Sequence, residues 1–458
     1  MLLRHLNLPE GTELQEPALV RLRRQQRKVI APRAPDRVDL DTFFYLRLPP
    51  GLSVTDCVRR LENHPLLEYA EPDWIGTVAE TVPDDPNFTD QWHHQNSEKP
   101  SASIQTPLAW DIAQGSTNVL VAVLDTGLAD LPEFAGRTVP GYNFAYTNSD
   151  TMDDNGHGTH VAGVLAANAN NATLGVGVDW HCRIMPVKVF DAANLGWYSS
   201  WAQGIDFALS NGCKIINLSG AGTEFSRTVQ RAITNAIAQG VIFVTAAGNQ
   251  GATNLSFPGY LTACITVGAT DREDRRAPFS NSGPQLDFVA PGADIITVGR
   301  FGESESVRGT SFSAPMVSGV GALLAAVRPN LTQSEAHLLI CAGAEDRVGD
   351  AADGPGFDND HGWGRLNAFH SLLLATTRVD QVRRANAVTE LSWISPANAS
   401  NKQPFQVEYK TSVPGAWIPL TDPNAFRYGT NRTYWTDDGT QTGIQRDTRL
   451  YRVKLRVF

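Results

Sequence analysis

The sequence has few cysteines and spaces them too widely to act together. Cys57, Cys182, Cys213, Cys264 and Cys341 form no C-x-x-C pair, which excludes a dithiol redox motif and a cysteine metal clip. Their odd number excludes complete pairing within the chain. Apolar settings such as TACITVGA fit buried free thiols. No run of about 18 apolar residues is present, so no membrane-spanning helix is expected. An excess of basic charge is also missing. Lys and Arg number 38 against 48 Asp and Glu, a formal net charge of −10, which disfavours nucleic acid as the main partner. The one basic stretch, RLRRQQRKVIAPR at 21–33, reads as a solvated surface segment. The opening residues MLLRHLNLPEGTEL lack the apolar centre of a signal peptide. The protein is therefore expected either to be cytoplasmic or to have its biological start upstream of Met1. Internal repeats and low-complexity tracts are absent.

What is present is enough for two or three domains: 458 residues, 42% of them apolar and 19% charged. Residues 40–75 contain strand-like TFFYLRLP, helix-like SVTDCVRRLENHP and then LLEYAEPDWI, a small α+β unit. A loop-rich stretch follows to about residue 110. Then a regular alternation begins. NVLVAVLDTG is a nearly continuous apolar run, as expected of a strand covered on both faces of a parallel sheet. RIMPVKVF, KIINLS, VIFVTAAGN and CITVGAT read as further strands. HGTHVAGVLAANA, SSWAQGIDFALSNG and SRTVQRAITNAIAQG read as helices, the last with Val229, Ile233 and Ile237 on one face and Gly240 as its stop. Strand and helix alternating at this spacing predict an α/β fold around a mostly parallel sheet. From about residue 389 the period changes to two, with Phe405, Val407 and Tyr409, and later Tyr451, Val453, Leu455 and Val457. That predicts a separate all-β sandwich.

Function in parallel sheets gathers at the C-terminal ends of strands. Asp125 ends VLVAVLD, Ser219 ends KIINLS and Asn249 follows VIFVTAAG. His157 opens a helix between Gly156 and Gly158. Ser311 lies in RGTSFSAPMVSG, after a glycine and ahead of Pro315, at the mouth of a helix with unpaired N–H groups. Singly, these are ordinary caps and turn residues. Together they are an acid, an imidazole, a hydroxyl and a carboxamide. A serine hydroxyl attacks only when a base takes its proton. Histidine can do this near neutral pH, a carboxylate can hold the imidazole, and an amide can stabilise an oxyanion. The chain order Asp, His, Ser is one of the known orders of such triads.

VAVLDTG, NGHGTHVAG, AAGN and GTSFSAPMVSG resemble, in order and spacing, the four sequence blocks of the subtilase family of serine proteases, in the style of its subtilisin and thermitase branch. The resemblance covers residues 82–376. It implies a three-layer α/β/α sandwich with a seven-stranded, mostly parallel sheet. It also implies roles: Asp125 as orienting carboxylate, His157 as general base and Ser311 as nucleophile, with Asn249 and the Ser311 N–H as oxyanion donors. Substrate would lie between Ser219, Gly220 and Ala221 on one side and Ala246, Ala247 and Gly248 on the other, with Ser256 at the pocket base. Such a pocket is apolar and permissive, with no charged group. Phe312 follows the nucleophile where relatives often have Met. The chemistry needs no cofactor. The resemblance implies a structural calcium site at Asp85, Glu133 and the loop NANNATLGV at 168–176, although the loop differs in length and Ala172 falls where an Asn ligand is expected. HGTH is not a zinc pair: the spacing is not H-E-x-x-H and no third ligand is evident.

The resemblance also implies an inhibitory propeptide over residues 1–79, cut by the enzyme after Ala79, and a catalytic domain over 80–385. Residues 386–458 resemble a fibronectin type III or immunoglobulin-like sandwich, serving either to dock substrate or cell envelope or as a spacer. Propeptide and sandwich suggest export, to the medium or the envelope. The competing expectation is an inactive protein that keeps the fold for binding or adhesion; the intact set of four site residues argues against it.

Overall fold

A computed structural model describes residues 80–346, 348–349 and 356–377. It also describes short runs before them (13–15, 45–48, 53–61, 64–65, 67 and 70) and the strands between residues 381 and 455. The basic stretch 21–33, the expected cleavage segment 76–79 and Val457 lie outside the described residues. The chain divides into two compact units, Met1–Ala79 and Glu80–Phe458. In the first, β1 (Glu13–Gln15) pairs antiparallel with β2 (Tyr45–Arg47), and α1 (Val54–Leu61) follows. The strand and helix read from the sequence are both there.

The second unit is built on one parallel sheet. After the short α2 (Thr106–Trp110) come β3 (Leu120–Asp125), β4 (Tyr142–Asn143), α3 (His157–Ala166), β5 (Arg183–Lys188), α4 (Tyr198–Ser210) and β6 (Ile215–Leu218). Then α5 (Arg227–Ala238), β7 (Ile242–Ala246), β8 (Ile265–Thr270) and β9 (Phe288–Pro291) complete it. The seven strands lie in the order β4-β5-β3-β6-β7-β8-β9, every pair parallel. Alternate residues of β3 explain the layering. Val121 and Val123 join one apolar cluster with α3, while Leu120, Ala122 and Leu124 join another with Trp201 and Ile205 of α4 and Val229 and Ile233 of α5. A strand buried on both faces must be apolar at every position, which is why its sequence does not alternate. The strand order reverses at β3, and a crevice at such a reversal is where α/β sheets bind ligands.

Beyond the sheet, β10 (Ile295–Val298) and β11 (Ser304–Val307) form an antiparallel hairpin. It leads into α6 (Thr310–Val327), followed by α7 (Gln333–Gly343) and α8 (Ala368–Thr376). By length and composition α6 could cross a membrane, with a mean hydropathy of 1.5, but 83% of it is buried inside the protein. Its Ser and Gly residues break the apolar run that a reader of sequence looks for, while it runs through the core beside β6, β7, β8 and β9.

The last segment forms two antiparallel sheets. One has the order β12-β13-β17-β16, from Gln381–Ala385, Val388–Ile394, Arg432–Asp437 and Phe426–Tyr428. The other has the order β15-β14-β18, from Ile418–Leu420, Phe405–Lys410 and Leu450–Leu455. Trp393 of the first sheet meets Phe405 of the second edge-on at 5.1 Å, both buried, so the two faces form a sandwich. The apolar cluster of α6 continues into Leu391, Trp393 and Val407, and β18 lies beside α7.

Buried polar groups outside the sheet set the acid stability. His93 and His94 are both fully buried. Burial pushes both rings below the ordinary value, His94 to about 4 and His93 well below it. The folded state therefore holds fewer protons than the unfolded chain between the ordinary value of 6.5 and about 4. Stability is complete above that window and declines as pH falls through it, by up to about 1.4 kcal/mol per pH unit for each group. Asp179 and Asp274, raised by burial, act with the opposite sign. The difference against a variant isolates the histidine effect: His94→Gln is expected to flatten the pH dependence of urea unfolding between about pH 6.5 and 4. Parallel profiles for the two proteins would refute this.

Candidate active site

Asp125 closes β3 at the strand-order reversal and is completely buried. Its Oδ1 accepts the Thr126 N–H at 2.8 Å and lies 2.7 Å from Nδ1 of His157. Its Oδ2 is buried without a hydrogen-bond partner among the described residues, so its charge is directed at the imidazole with little competition. His157 is the first residue of α3, capped by Gly156 at φ 118°.

A second carboxylate, which sequence reasoning did not single out, fixes this entry. Asp153 accepts from the N–H groups of Gly156 (2.8 Å) and Thr159 (2.9 Å) and from the hydroxyls of Thr159 (2.6 Å) and Thr126 (2.8 Å). The Thr126 hydroxyl in turn accepts the Gly158 N–H at 2.8 Å. Asp153 and Thr126 thus stitch the end of β3 to the first turn of α3, which fixes the Asp125–His157 separation. Lys188, buried at the end of β5 and opposite Asp125 in register, donates to the Thr126 carbonyl and to Asp154 Oδ1. The signal for Asp153 was available as the first Asp of DDNGHGTH.

These contacts set protonation. Burial disfavours the charged His157 ring, but the charge and hydrogen bond of Asp125, with Asp153 behind them, outweigh it and hold the ring above its ordinary value. Burial would also raise Asp153. Its donors from Thr159, Gly156 and Thr126 prevail and keep it below the usual carboxylate range.

Ser311 lies in the first turn of α6, one residue further into the helix than its expected start. Its hydroxyl donates to the Ser219 carbonyl at 3.3 Å, and the Ser219 hydroxyl donates to the Ser311 carbonyl at 2.8 Å. Asn217 Nδ2 donates to the Ser219 hydroxyl at 2.9 Å, and Ser318 donates to Asn217 Oδ1 at 2.8 Å. The end of β6 is therefore bolted to the turn that carries Ser311. The Phe312 ring lies 5.5 Å from that of His157.

Asn249 faces the same turn. Its Oδ1 accepts both the N–H and the hydroxyl of Thr310, each at 2.9 Å, which assigns Nδ2 to the other side. Gly309, the N-cap, has φ 144°. A Cβ on it would lie 3.2 Å from Asn249 Nδ2 and 3.7 Å from the Ser311 N. Two N–H donors thus converge where glycine leaves room, a place suited to an oxygen that gains negative charge.

Ala246 closes β7, and Ala246 and Ala247 are both buried. Ser256, expected at the pocket base, has neutral polar neighbours. Ser256 donates to Gln250 Oε1 at 3.2 Å, and Asn281 Nδ2 reaches Gln250 Oε1 at 2.8 Å and Ser256 Oγ at 3.3 Å. Gly248 (φ 107°) has to be glycine, since a Cβ would sit 2.4 Å from both Asn281 Nδ2 and Ser256 Oγ. Gln250 and Asn281 were missed because a neutral amide carries no motif.

Asp85, Glu133 and the loop at 168–176 do come together. Asp85 accepts from the N–H groups of Asn170 (2.8 Å) and Asn171 (3.4 Å), and Glu133 accepts from Asn171 Nδ2 (3.1 Å) and the Thr173 hydroxyl. Burial raises both carboxyls, reinforced by the charge of Asp84 at Asp85 and of Asp85 at Glu133. Two carboxylates with Asn and Thr oxygens are the donor type a hard cation takes. Ala172 adds no side-chain oxygen, and among the described residues no group of three or more His, Cys, Asp or Glu is placed to hold a metal ion.

A profile of the subtilase family, Peptidase S8, matches residues 116–364. The chain is 35% identical over 321 residues to the thermophilic serine proteinase of Bacillus sp. (strain AK1), spanning 70% of this chain and 76% of that protein. It is 38% identical over 245 residues to thermitase of Thermoactinomyces vulgaris, spanning 53% of this chain and 85% of thermitase. Among solved structures, a protease of Pseudoalteromonas arctica PAMC 21717 superposes with a TM-score of 0.59 at 29% identity, over 65% of this chain and all of the other.

Proposed function

From the premise that this chain belongs to the subtilase family of serine proteases, we propose that Ser311 is the nucleophile, His157 the general base, Asp125 its orienting carboxylate and Asn249 an oxyanion donor. The observation that carries this is the Asp125–His157 contact at 2.7 Å, supported by the Asn249 and Ser311 nitrogens about Gly309 and by the ring of Phe312, next to Ser311, 5.5 Å from that of His157. The Ser311 oxygen attacks the peptide carbonyl while His157 Nε2 takes its proton. The carbonyl oxygen becomes an anion held by Asn249 Nδ2 and the Ser311 N–H. His157 then gives the proton to the departing amine, leaving an acyl ester on Ser311. Water, deprotonated by His157, releases the acid and restores the serine. Asp125 orients the ring and stabilises the imidazolium. The raised His157 sets the acid limb of activity: hydrolysis is lost as pH falls through its value. A fluorophosphonate that labels Ser311 in the wild type, and fails to label Ser311→Ala, tests this reading. No labelling would favour an inactive binding protein.

The pocket, with small walls and a neutral polar base, favours broad cleavage after uncharged residues. Calcium at Asp85 and Glu133 would serve structure only, holding the loop at 168–176, and takes no part in the reaction. Residues 1–79 act as propeptide and inhibitor, and residues 386–458 as a module docked on the catalytic domain, in a protein made for export.

Maturation is by self-cleavage between Ala79 and Glu80. Two facts support this. The division into compact units falls there. On its far side Thr81 is tethered to Asp111 by its N–H (3.0 Å) and hydroxyl (2.6 Å), and Glu80 accepts from Gln95 at 3.0 Å. A new terminus at Glu80 would thus already be anchored. Intact-mass measurement should show wild type starting within about three residues of Glu80, while Ser311→Ala stays full length. Cleavage of purified Ser311→Ala at the same place would refute self-processing.

A further inference from the structure

His160 lies one turn after His157 on α3 and plays no part in the reaction described above. It is nevertheless gripped from both strands of one rung of the hairpin. Thr297 of β10 stands opposite Glu305 of β11. Opposed residues of an antiparallel pair project to the same face. Thr297 Oγ1 donates to the His160 carbonyl at 2.9 Å, and Glu305 Oε2 lies 2.9 Å from His160 Nε2. The strand that carries Glu305 runs into Gly309 and Ser311. The Phe312 ring lies 6.3 Å from that of His160, edge-on, and 5.5 Å from that of His157.

Resting on the proposed triad, we infer that His160 and Glu305 form a positioning tie that sets the separation of the general base on α3 from the nucleophile after β11. The tie ends on each element close to the reacting group: three residues from His157 and six from Ser311. Two further contacts hold the hairpin on the helix entry. Arg300 at its tip donates to the Asp154 carbonyl at 2.5 Å, and Thr297 and Val298 press on Gly163. His160 therefore acts through distance, not by touching substrate.

The tie also carries charge to the base. The groups facing His160 are Glu305 on β11, Glu303 at the hairpin turn, Arg300 at the tip, Asp153 before the helix and His157 on its own helix. Burial keeps the His160 ring below its ordinary value against the attraction of Glu305, so the ring is neutral at neutral pH. A negative Glu305 would add to the pull of Asp125 and Asp153 that favours the protonated His157.

The test uses the mature full-length enzyme on a short chromogenic peptide, with fluorophosphonate labelling of Ser311 as the control for the triad. His160→Ala should lower kcat about tenfold or more, with KM changed less than about twofold, because a small displacement of base from nucleophile affects the transition state first. His160→Gln, whose amide can reach Glu305, should recover most of the loss. Glu305→Gln, on a side chain 40% exposed, keeps the fold and removes the charge. It should move the acid limb of kcat/KM to lower pH by roughly a few tenths of a unit. An unchanged kcat in His160→Ala, or an acid limb that stays in place in Glu305→Gln, would overturn the tie. If His160→Ala does not fold, the Glu305→Gln profile decides. A wild type that is neither labelled nor active would overturn the triad itself, and the tie with it.

Discussion

Ser311→Ala is expected to lower kcat on a peptide substrate by a factor on the order of 10⁶, the scale seen when a subtilisin loses its nucleophile, while the fold stays intact. The fold survives because, among the described residues, the hydroxyl makes a single long hydrogen bond, 3.3 Å to the Ser219 carbonyl. The bonds that fasten this turn, from Ser219 to the Ser311 carbonyl and from Thr310 to Asn249, involve other atoms. Some activity above water would remain, from the oxyanion donors and from binding. The measurement is kcat beside an unfolding curve. Activity within tenfold of wild type would refute Ser311 as nucleophile; lost activity with a collapsed unfolding curve would show that the turn, and not the hydroxyl, had been removed.

Asn249→Ala is expected to lower kcat by about 10²–10³ with KM nearly unchanged, since the oxyanion exists only in the transition state. Here the structure adds a second effect. The carboxamide faces two ways: Nδ2 toward the oxyanion position, and Oδ1 toward the N–H and hydroxyl of Thr310. Truncation leaves a buried donor without its acceptor, at a cost of about 1–3 kcal/mol. Melting should therefore fall together with kcat. Asn249→Asp separates the two, because it keeps an acceptor for Thr310 while it removes the donor and adds repulsion. It should melt closer to wild type and be at least as slow. A change confined to KM in either variant would make Asn249 a substrate-binding group only.

Much of this was legible in the sequence because the signals are local. The strands of a doubly covered sheet must be apolar throughout, so LVAVLD and IFVTA stand out. Strand ends mark the site, and three of its members lie at or just beyond them. What stayed hidden depends on partners far along the chain or on elements too short to have a period. β4 is two residues long. β11 reads SESV, and its alternation of exposed and half-buried residues carries no apolar signal. The tie between His160 and Glu305 joins residues 145 positions apart, and HGTH alone cannot say where its second imidazole points. Phe312 was noticed as a departure, but its place between two histidine rings follows only from the packing of α6 against α3. α6 itself was recognised by its start, not by its length, because serines and glycines that pack against neighbouring backbone look polar or flexible on paper.

The burial of α6 has a consequence for how the enzyme fails. A helix that is covered along nearly all its length lies at the most protected end of the range of local openings, and its amides are expected to exchange with solvent mainly when the whole domain opens. The proposed nucleophile, Ser311, is carried on its first turn. Damage by heat should therefore not produce a population of weakened enzymes with loosened sites; each molecule is either fully competent or fully unfolded. An unfolded copy is itself a substrate for the intact ones, so loss of activity in solution becomes a collision between the two populations, and its rate rises with protein concentration.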